Sequence, residues 1–140
     1  MNQPTSAYIH IPFCLSKCHY CDFISFSEAQ AFFVPYVDAL CEEIRRTAIY
    51  NEKNNAERIK LETIYFGGGT PSILPPILME KMMRVMSTYF DVLSDAEITV
   101  EFNPGSINAE DLKRFSASGL NRASVGVQSF SNNILKTLGR

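Results

Sequence analysis

Three cysteines, Cys14, Cys18 and Cys21, stand at C-x3-C-x2-C spacing within the stretch YIHIPFCLSKCHYCDF that runs from Tyr8 to Phe23. Three is an informative number of thiolates. A closed structural zinc site takes four ligands, as do most iron–sulfur sites. Three thiolates on a four-iron cluster leave one iron without a protein ligand, and an open iron is where a small molecule coordinates. The rival is a zinc knuckle completed by His10 or His19, since imidazole and thiolate also suit zinc. Against it, the spacing lacks the paired C-x2-C arrangement of common zinc modules. His19 reads as an exposed loop residue and His10 as a sheet residue beside Tyr8.

Further along lie other groups with chemistry to offer. Gly67-Gly68-Gly69-Thr70 ends a short apolar run, and glycines there let the backbone come close to a ligand and adopt positive φ. No Gly-Lys-Ser/Thr follows, so this is not a Walker loop; a tight turn between strand and helix is the plain alternative. Glu101 sits in the apolar stretch ITVEFNP, where a carboxylate is costly to bury unless it meets a partner. That partner is either a ligand or an arginine such as Arg122. Gln128 follows SVGV and offers both a donor and an acceptor, or simply ends a turn. Cys41 falls on the apolar side of a helical pattern and reads as core, as do Met82, Met83 and Met86.

The elements that must position these groups alternate in type. A short strand over 7–11 is stopped by Pro12, and residues 25–30 form a polar connection. A helix starting near Pro35 carries Tyr36, Val37, Leu40, Cys41, Ile44 and Ala48 inward at close to a 3.6-residue period. The segment 51–60, NEKNNAERIK, reads as a polar turn without pattern. A second strand spans 63–66. Pro75 and Pro76 open a helix with Leu78, Met82, Val85, Met86 and Tyr89 on one side. A third strand covers 96–102 and is stopped by Asn103-Pro104-Gly105. Asn108 then caps a helix with Glu110 and Asp111 in its first turn, Leu112 and Phe115 inward, and Gly119 at its end. A fourth strand spans 122–127, and Ser131 caps a last helix through Leu138.

Strand and helix thus alternate four times, which implies an α/β fold with a parallel sheet. Four strands are too few to close a barrel, so the expected fold is the opening part of a larger α/β barrel. In such architectures ligand groups gather at the C-terminal ends of the strands. The cysteine loop, the glycine run, Glu101 and Gln128 each lie at or near such an end.

Composition narrows the partners. The 140 residues make one ordinary domain. A net charge of −2 with 13 scattered Lys and Arg argues against a nucleic-acid surface. No stretch reaches the roughly 18 apolar residues of a membrane span. MNQPTSAY has neither a basic nor an apolar leader region. The expected location is the cytoplasm, where thiols stay reduced and serve as ligands or core rather than disulfides.

The cysteine motif with an aromatic residue before its last member, Tyr20-Cys21, resembles the signature of radical S-adenosylmethionine (SAM) enzymes. YIHIPFC, CHYCDF, YFGGGTPS at 65–72, EFNPG at 101–105 and RASVGVQSF at 122–130 together resemble the oxygen-independent coproporphyrinogen III oxidase family, most closely its HemW branch of heme chaperones. The resemblance implies an N-terminal portion, residues 1–140, of a partial (β/α)6 radical-SAM barrel, truncated after the fourth β/α unit. It implies a [4Fe-4S] cluster on Cys14, Cys18 and Cys21, with SAM on the open iron and a 5′-deoxyadenosyl radical as the reactive product of one-electron reduction. For SAM it implies contacts from Gly68, Gly69 and Thr70 to the methionyl ammonium, from Glu101 and Gln128, and from Arg140 to the carboxylate. Tyr8 and Tyr20 match positions lining the porphyrin side and the adenosine side, though core packing accounts equally well for each.

The resemblance further implies an electron donor, and either a porphyrinogen substrate or heme together with a heme-acceptor protein. Oxidases of the family carry one more cysteine two residues after the third, where this chain has Phe23. They also have an acidic residue before Pro in the third motif, where this chain has Asn103. Both departures point to the heme-chaperone branch, with oxidative decarboxylation of coproporphyrinogen as the alternative.

Overall fold

Along three stretches of the chain, apolar residues recur at every second position: Ile9 and Ile11, Ile64 and Phe66, and Ile98, Val100 and Phe102. All seven are buried, as expected of strands with one face turned to a core. In the computed structural model, which describes residues 5–55 and 57–140, these stretches belong to strands β1 (Thr5–Ile11), β2 (Lys60–Gly68) and β3 (Asp91–Phe102). With β4 (Arg122–Val125) they form one sheet in the order β1-β2-β3-β4, parallel throughout. Each strand is followed by a helix: α1 (Phe33–Asn55), α2 (Pro76–Tyr89), α3 (Ala109–Ala117) and α4 (Asn132–Thr137). The expected α/β alternation is therefore the observed one.

Helices α1 and α2 pack on each other and close the core over one face of the sheet. Val37, Cys41, Ile44 and Ala48 from α1 meet Leu78, Met79, Met82, Met83 and Met86 from α2. Fully burying one such large apolar side chain contributes about 1.5–3 kcal/mol. Cys41 and the methionines are thus core, and burial pushes the Cys41 thiol above its ordinary pKa. Phe115 of α3 adds to this layer, its ring centroid 6.1 Å from that of Phe102. The other face of the sheet carries Tyr8, His10, Tyr65, Glu97, Thr99, Glu101, Arg122 and Ser124, which interact across the strands. No described helix is long and apolar enough to cross a membrane.

Several boundaries differ from the sequence reading. Helix α1 begins at Phe33, preceded by a 3-10 turn at Gln30–Phe32, and Pro35 occupies its third position, where an N–H has no intrahelical partner anyway. The same helix runs on through 51–55, part of the segment read as a polar turn. There Asn51 and Asn54 donate from their side chains to the carbonyls of Thr47 and Tyr50, and an exposed end needs no apolar pattern. Ala56, and Met1–Pro4 of the leader reading, lie outside the described residues. Strands β2 and β3 begin earlier than expected because Lys60 and Leu61 pair with Asp91 and Val92 before the register shifts to Thr63 opposite Glu97. Strand β4 ends at Val125 instead of residue 127, since Val127 N turns back to the carbonyl of Val125. Leu112, expected inward, is exposed while Phe115 is buried. Asn108 caps α3 by accepting from Asp111 N at 2.8 Å. Ser131 holds the N-cap position of α4 without a side-chain bond.

Candidate metal and cofactor site

The cysteine loop is closed at its base by an isolated parallel bridge between Phe13 and Phe26. Phe26 N donates to Pro12 O at 2.7 Å and Cys14 N to Phe26 O at 3.0 Å. The buried ring of Phe13 anchors this base against Phe33 and Tyr36. The connection over 25–30, read as merely polar, therefore holds the loop shut. Within the loop Cys14, Cys18 and Cys21 are free and partly buried, while Leu15, Tyr20, Phe23 and Ile24 are exposed.

The glycine run lies directly against this base. Gly69 N donates to Ile11 O at 2.8 Å and Thr70 N to Phe13 O at 2.7 Å. A Cβ on Gly69 would stand 2.5 Å from Phe13 O, and Gly68, at φ +116°, backs onto the ring of His10. Glycine is required at these two positions for close packing of the β2 end on the β1 end. That same packing sets the edge of Gly68 and Gly69 that faces the cavity. Thr70 is buried; its hydroxyl donates to Cys14 Sγ at 3.7 Å and accepts from Asn103 Nδ2 at 3.0 Å.

Glu101 is gripped at both oxygens. Tyr65 donates its hydroxyl to Oε1 at 2.7 Å and Gly68 its backbone N–H to Oε2 at 3.1 Å. The hydrogen bond to Glu101, followed by burial, pushes the Tyr65 phenol above its ordinary pKa. Arg122, the alternative partner, instead meets Glu97 at 3.5 Å and Thr99 at 3.2 Å. Its side chain stands beside Thr99 in the register, two residues before Glu101, so the arginine-pair reading of Glu101 is replaced by the Tyr65 and Gly68 grip.

Arg140 folds back over the β3 end. Its Nη1 donates to Asn103 Oδ1 at 3.0 Å and to Gly126 O at 2.9 Å. Among the described residues these are its side-chain bonds, so Nε and Nη2 remain to grip a carboxylate. Gln128 adopts a positive φ of 61° in the turn after β4.

One cavity of about 290 Å³ joins these parts. Cys14, Cys18, Cys21, Tyr20, Gly68, Gly69, Thr70, Glu101, Gln128 and Arg140 all line it. Tyr8 does not. It is 59% exposed on the open face of the sheet, stacked on Tyr65 and within 3.0 Å of His10 Nδ1. Tyr20 is also exposed, so core packing explains neither tyrosine. Of the histidines in the zinc alternative, His10 meets the Tyr8 hydroxyl through Nδ1 and His19 meets the carbonyl of Thr137 through Nδ1 at 3.1 Å; neither lines the cavity. Among the described residues no three His, Cys, Asp or Glu side chains converge on one ion position. Three free thiols lining one cavity are a donor set of the kind that holds iron–sulfur clusters. The donor set thus fits a cluster. Sequence reasoning left out Tyr65 and Asn103 as site residues; an amide directly after the third strand, in EFNPG, was the available signal for the latter.

Comparison with known proteins matches residues 8–140 to the Radical SAM superfamily. The chain is 40% identical to the heme chaperone HemW of Synechocystis over 144 aligned positions, covering 99% of this chain and 33% of that protein. It is 40% identical to HemW of Escherichia coli, covering 98% and 35% respectively. It therefore spans about a third of the length of these relatives. Among solved structures it is similar to coproporphyrinogen III oxidase (HemN) from Escherichia coli, described as a radical SAM enzyme. That match has a TM-score of 0.89 and 31% identity over 99% of this chain and 31% of the oxidase.

Proposed function

The chain belongs to the radical SAM superfamily, and from that premise we propose that it is the cofactor-binding part of a HemW-type heme chaperone. In this reading the four β/α units are the opening portion of the radical SAM core. Cys14, Cys18 and Cys21 hold a [4Fe-4S] cluster, and SAM occupies the adjoining cavity. The observation that carries the reading is that one cavity, at the C-terminal ends of parallel strands, is lined by the three thiols and seven further residues expected for SAM.

When bound, the cluster and SAM supply one-electron chemistry that protein side chains lack. The residues of the chain bind and orient. Gly68 and Gly69 offer backbone edges, and Thr70 and Glu101 offer acceptors for an ammonium and for hydroxyls. Gln128 serves the ribose, Arg140 clamps the carboxylate, and Tyr20 covers the adenosine. Tyr8, outside the cavity, faces the side where a porphyrin or heme would lie. The four cysteines are free thiols in the structure, in keeping with a reducing cytoplasm, where an electron donor and a heme-acceptor protein complete the system.

Phe23 supports the chaperone over the oxidase, because an exposed phenylalanine stands where the family's oxidases have their extra cysteine. The likeness to HemN supports the second reading, oxidative decarboxylation of coproporphyrinogen III. The deciding experiment reconstitutes the protein, as the cell makes it, with iron and sulfide under anaerobic conditions. SAM, a reductant and either coproporphyrinogen III or heme with an apo-acceptor are then supplied. Heme transfer without decarboxylated porphyrin is the expected result. Decarboxylated product would establish the oxidase.

A further inference from the structure

Arg140, Asn103, Thr70 and Cys14 stand in an unbroken line of hydrogen bonds, and the donor sense of that line is fixed at its outer end. A guanidinium only donates, so the Asn103 atom that meets Arg140 Nη1 at 3.0 Å is the carbonyl oxygen Oδ1. The amide nitrogen Nδ2 then faces Thr70. It too can only donate, and it does so to Oγ1 at 3.0 Å. The Thr70 hydroxyl proton is thereby left to point away from Asn103, and its partner is Cys14 Sγ at 3.7 Å. Thr70 is 3% exposed, and its backbone N–H is tied to Phe13 O, which holds the residue in place beside Cys14. Among the described residues Cys18 and Cys21 have no comparable side-chain donor at sulfur.

We propose that Asn103 and Thr70 act as positioning residues that hold a hydroxyl donor on the Cys14 sulfur and so raise the reduction potential of the cluster. The inference rests on the proposed ligation of that cluster by Cys14. Hydrogen bonds to ligating sulfurs are among the determinants of iron–sulfur potentials. A donor stabilises the more negative, reduced state, so its loss moves the potential down. Asn103 acts through Thr70: without its Nδ2 the hydroxyl is free to turn from the sulfur. An aspartate at 103 would keep the bond to Arg140 but would accept the Thr70 proton, drawing it off Cys14.

The test is a potentiometric titration of the reconstituted protein, followed by electron paramagnetic resonance of the reduced cluster. The set comprises the parent, Thr70→Val, Thr70→Ser, Asn103→Ala and the Thr70→Val/Asn103→Ala double variant. Thr70→Val and Asn103→Ala are expected to shift the potential to more negative values, while Thr70→Ser stays at the parent value. In the Thr70→Val background the Asn103→Ala shift should vanish, which a merely structural role of Asn103 would not produce. A Thr70→Val potential equal to that of the parent, with four irons still bound, overturns the proposal. If Thr70→Val loses its cluster, an unshifted Asn103→Ala overturns it equally. A parent that binds no four-iron cluster refutes the proposed function itself and takes this inference with it, so the two failures are distinct.

Discussion

At the scale of single residues, the site makes a sharp demand on the three cysteines. Replacing Cys14, Cys18 or Cys21 by serine is expected to abolish the intact cluster in each case, read as iron per chain and visible absorbance after reconstitution. Full iron content in all three variants would remove the cluster from the account. Glu101 gives a graded expectation. Tyr65→Phe deletes one of its two fixed donors, a bond worth about 1 kcal/mol at this half-exposed position. SAM binding should therefore weaken about fivefold in equilibrium dialysis. The same bond has a pH signature. The folded pKa of Tyr65 lies above its unfolded value, so its stabilisation is complete below about pH 10 and is lost as pH rises through the folded pKa. Stability of the parent should therefore fall more steeply above pH 10 than that of Tyr65→Phe, measured by urea unfolding. The cysteine loop, the glycine run, Glu101 and Gln128 were expected together because their motifs follow strands, whereas Tyr20 and Arg140 entered through the resemblance alone; all of them line one cavity. Of the two readings of Tyr8, a porphyrin-side residue or core packing, the core one fails because the exposed phase of the strand's alternation carries Tyr8 and His10. Asn103 escaped because an amide after a strand is first read as a turn former, and its two bonds join segments far apart in the chain.

At the scale of elements, the sheet is held in register by contacts that permit no side chain. Gly69→Ala would push a methyl to 2.5 Å from the backbone oxygen of Phe13, and backbone cannot rotate away. Overpacking of this kind costs about 1–3 kcal/mol, and here it also displaces the donors Gly69 N and Thr70 N from β1 and the cysteine loop. A lowered urea midpoint together with reduced cluster loading is expected. Gly105→Ala is the control: it has open space around it but a φ of +75°, so it should lose about 1 kcal/mol with loading intact. Element types were readable from the sequence, since Val37, Cys41, Ile44 and Ala48 keep a helical period and Ile64 and Phe66 a strand period. Element ends were not. The last turn of α1 rests on asparagine side chains bonding carbonyls four residues back, and the early start of β3 rests on pairing between Lys60 and Asp91. Neither leaves an apolar pattern to read.

At the scale of the whole molecule, the site exists only because distant segments are tied together across the strand ends. Parallel sheets are ordinarily covered on both faces, yet here the face opposite the helices is a polar array running from Tyr8 through Glu101 to Arg122. Cofactor groups can gather at its rim because that rim is not filled by core. The most remote tie is made by His19, in the middle of the cysteine motif. Its backbone N–H donates to Leu138 O at 3.1 Å, its Nδ1 donates to Thr137 O at 3.1 Å, and its ring lies against Gly139, next to Arg140. The carbonyls are those left unpaired at the end of α4, so one imidazole fixes the cysteine loop to the helix that delivers Arg140. His19→Ala keeps the backbone bond but removes the side-chain bond and the packing. Hydrogen–deuterium exchange should then accelerate in residues 14–25 and in 132–139 together. Exchange should stay unchanged at 64–66 and 98–102, whose protection comes from the sheet and core. Faster exchange confined to the cysteine loop, with α4 as slow as in the parent, would mean that Arg140 is held by Asn103 and Gly126 alone and that the two halves of the site are assembled independently.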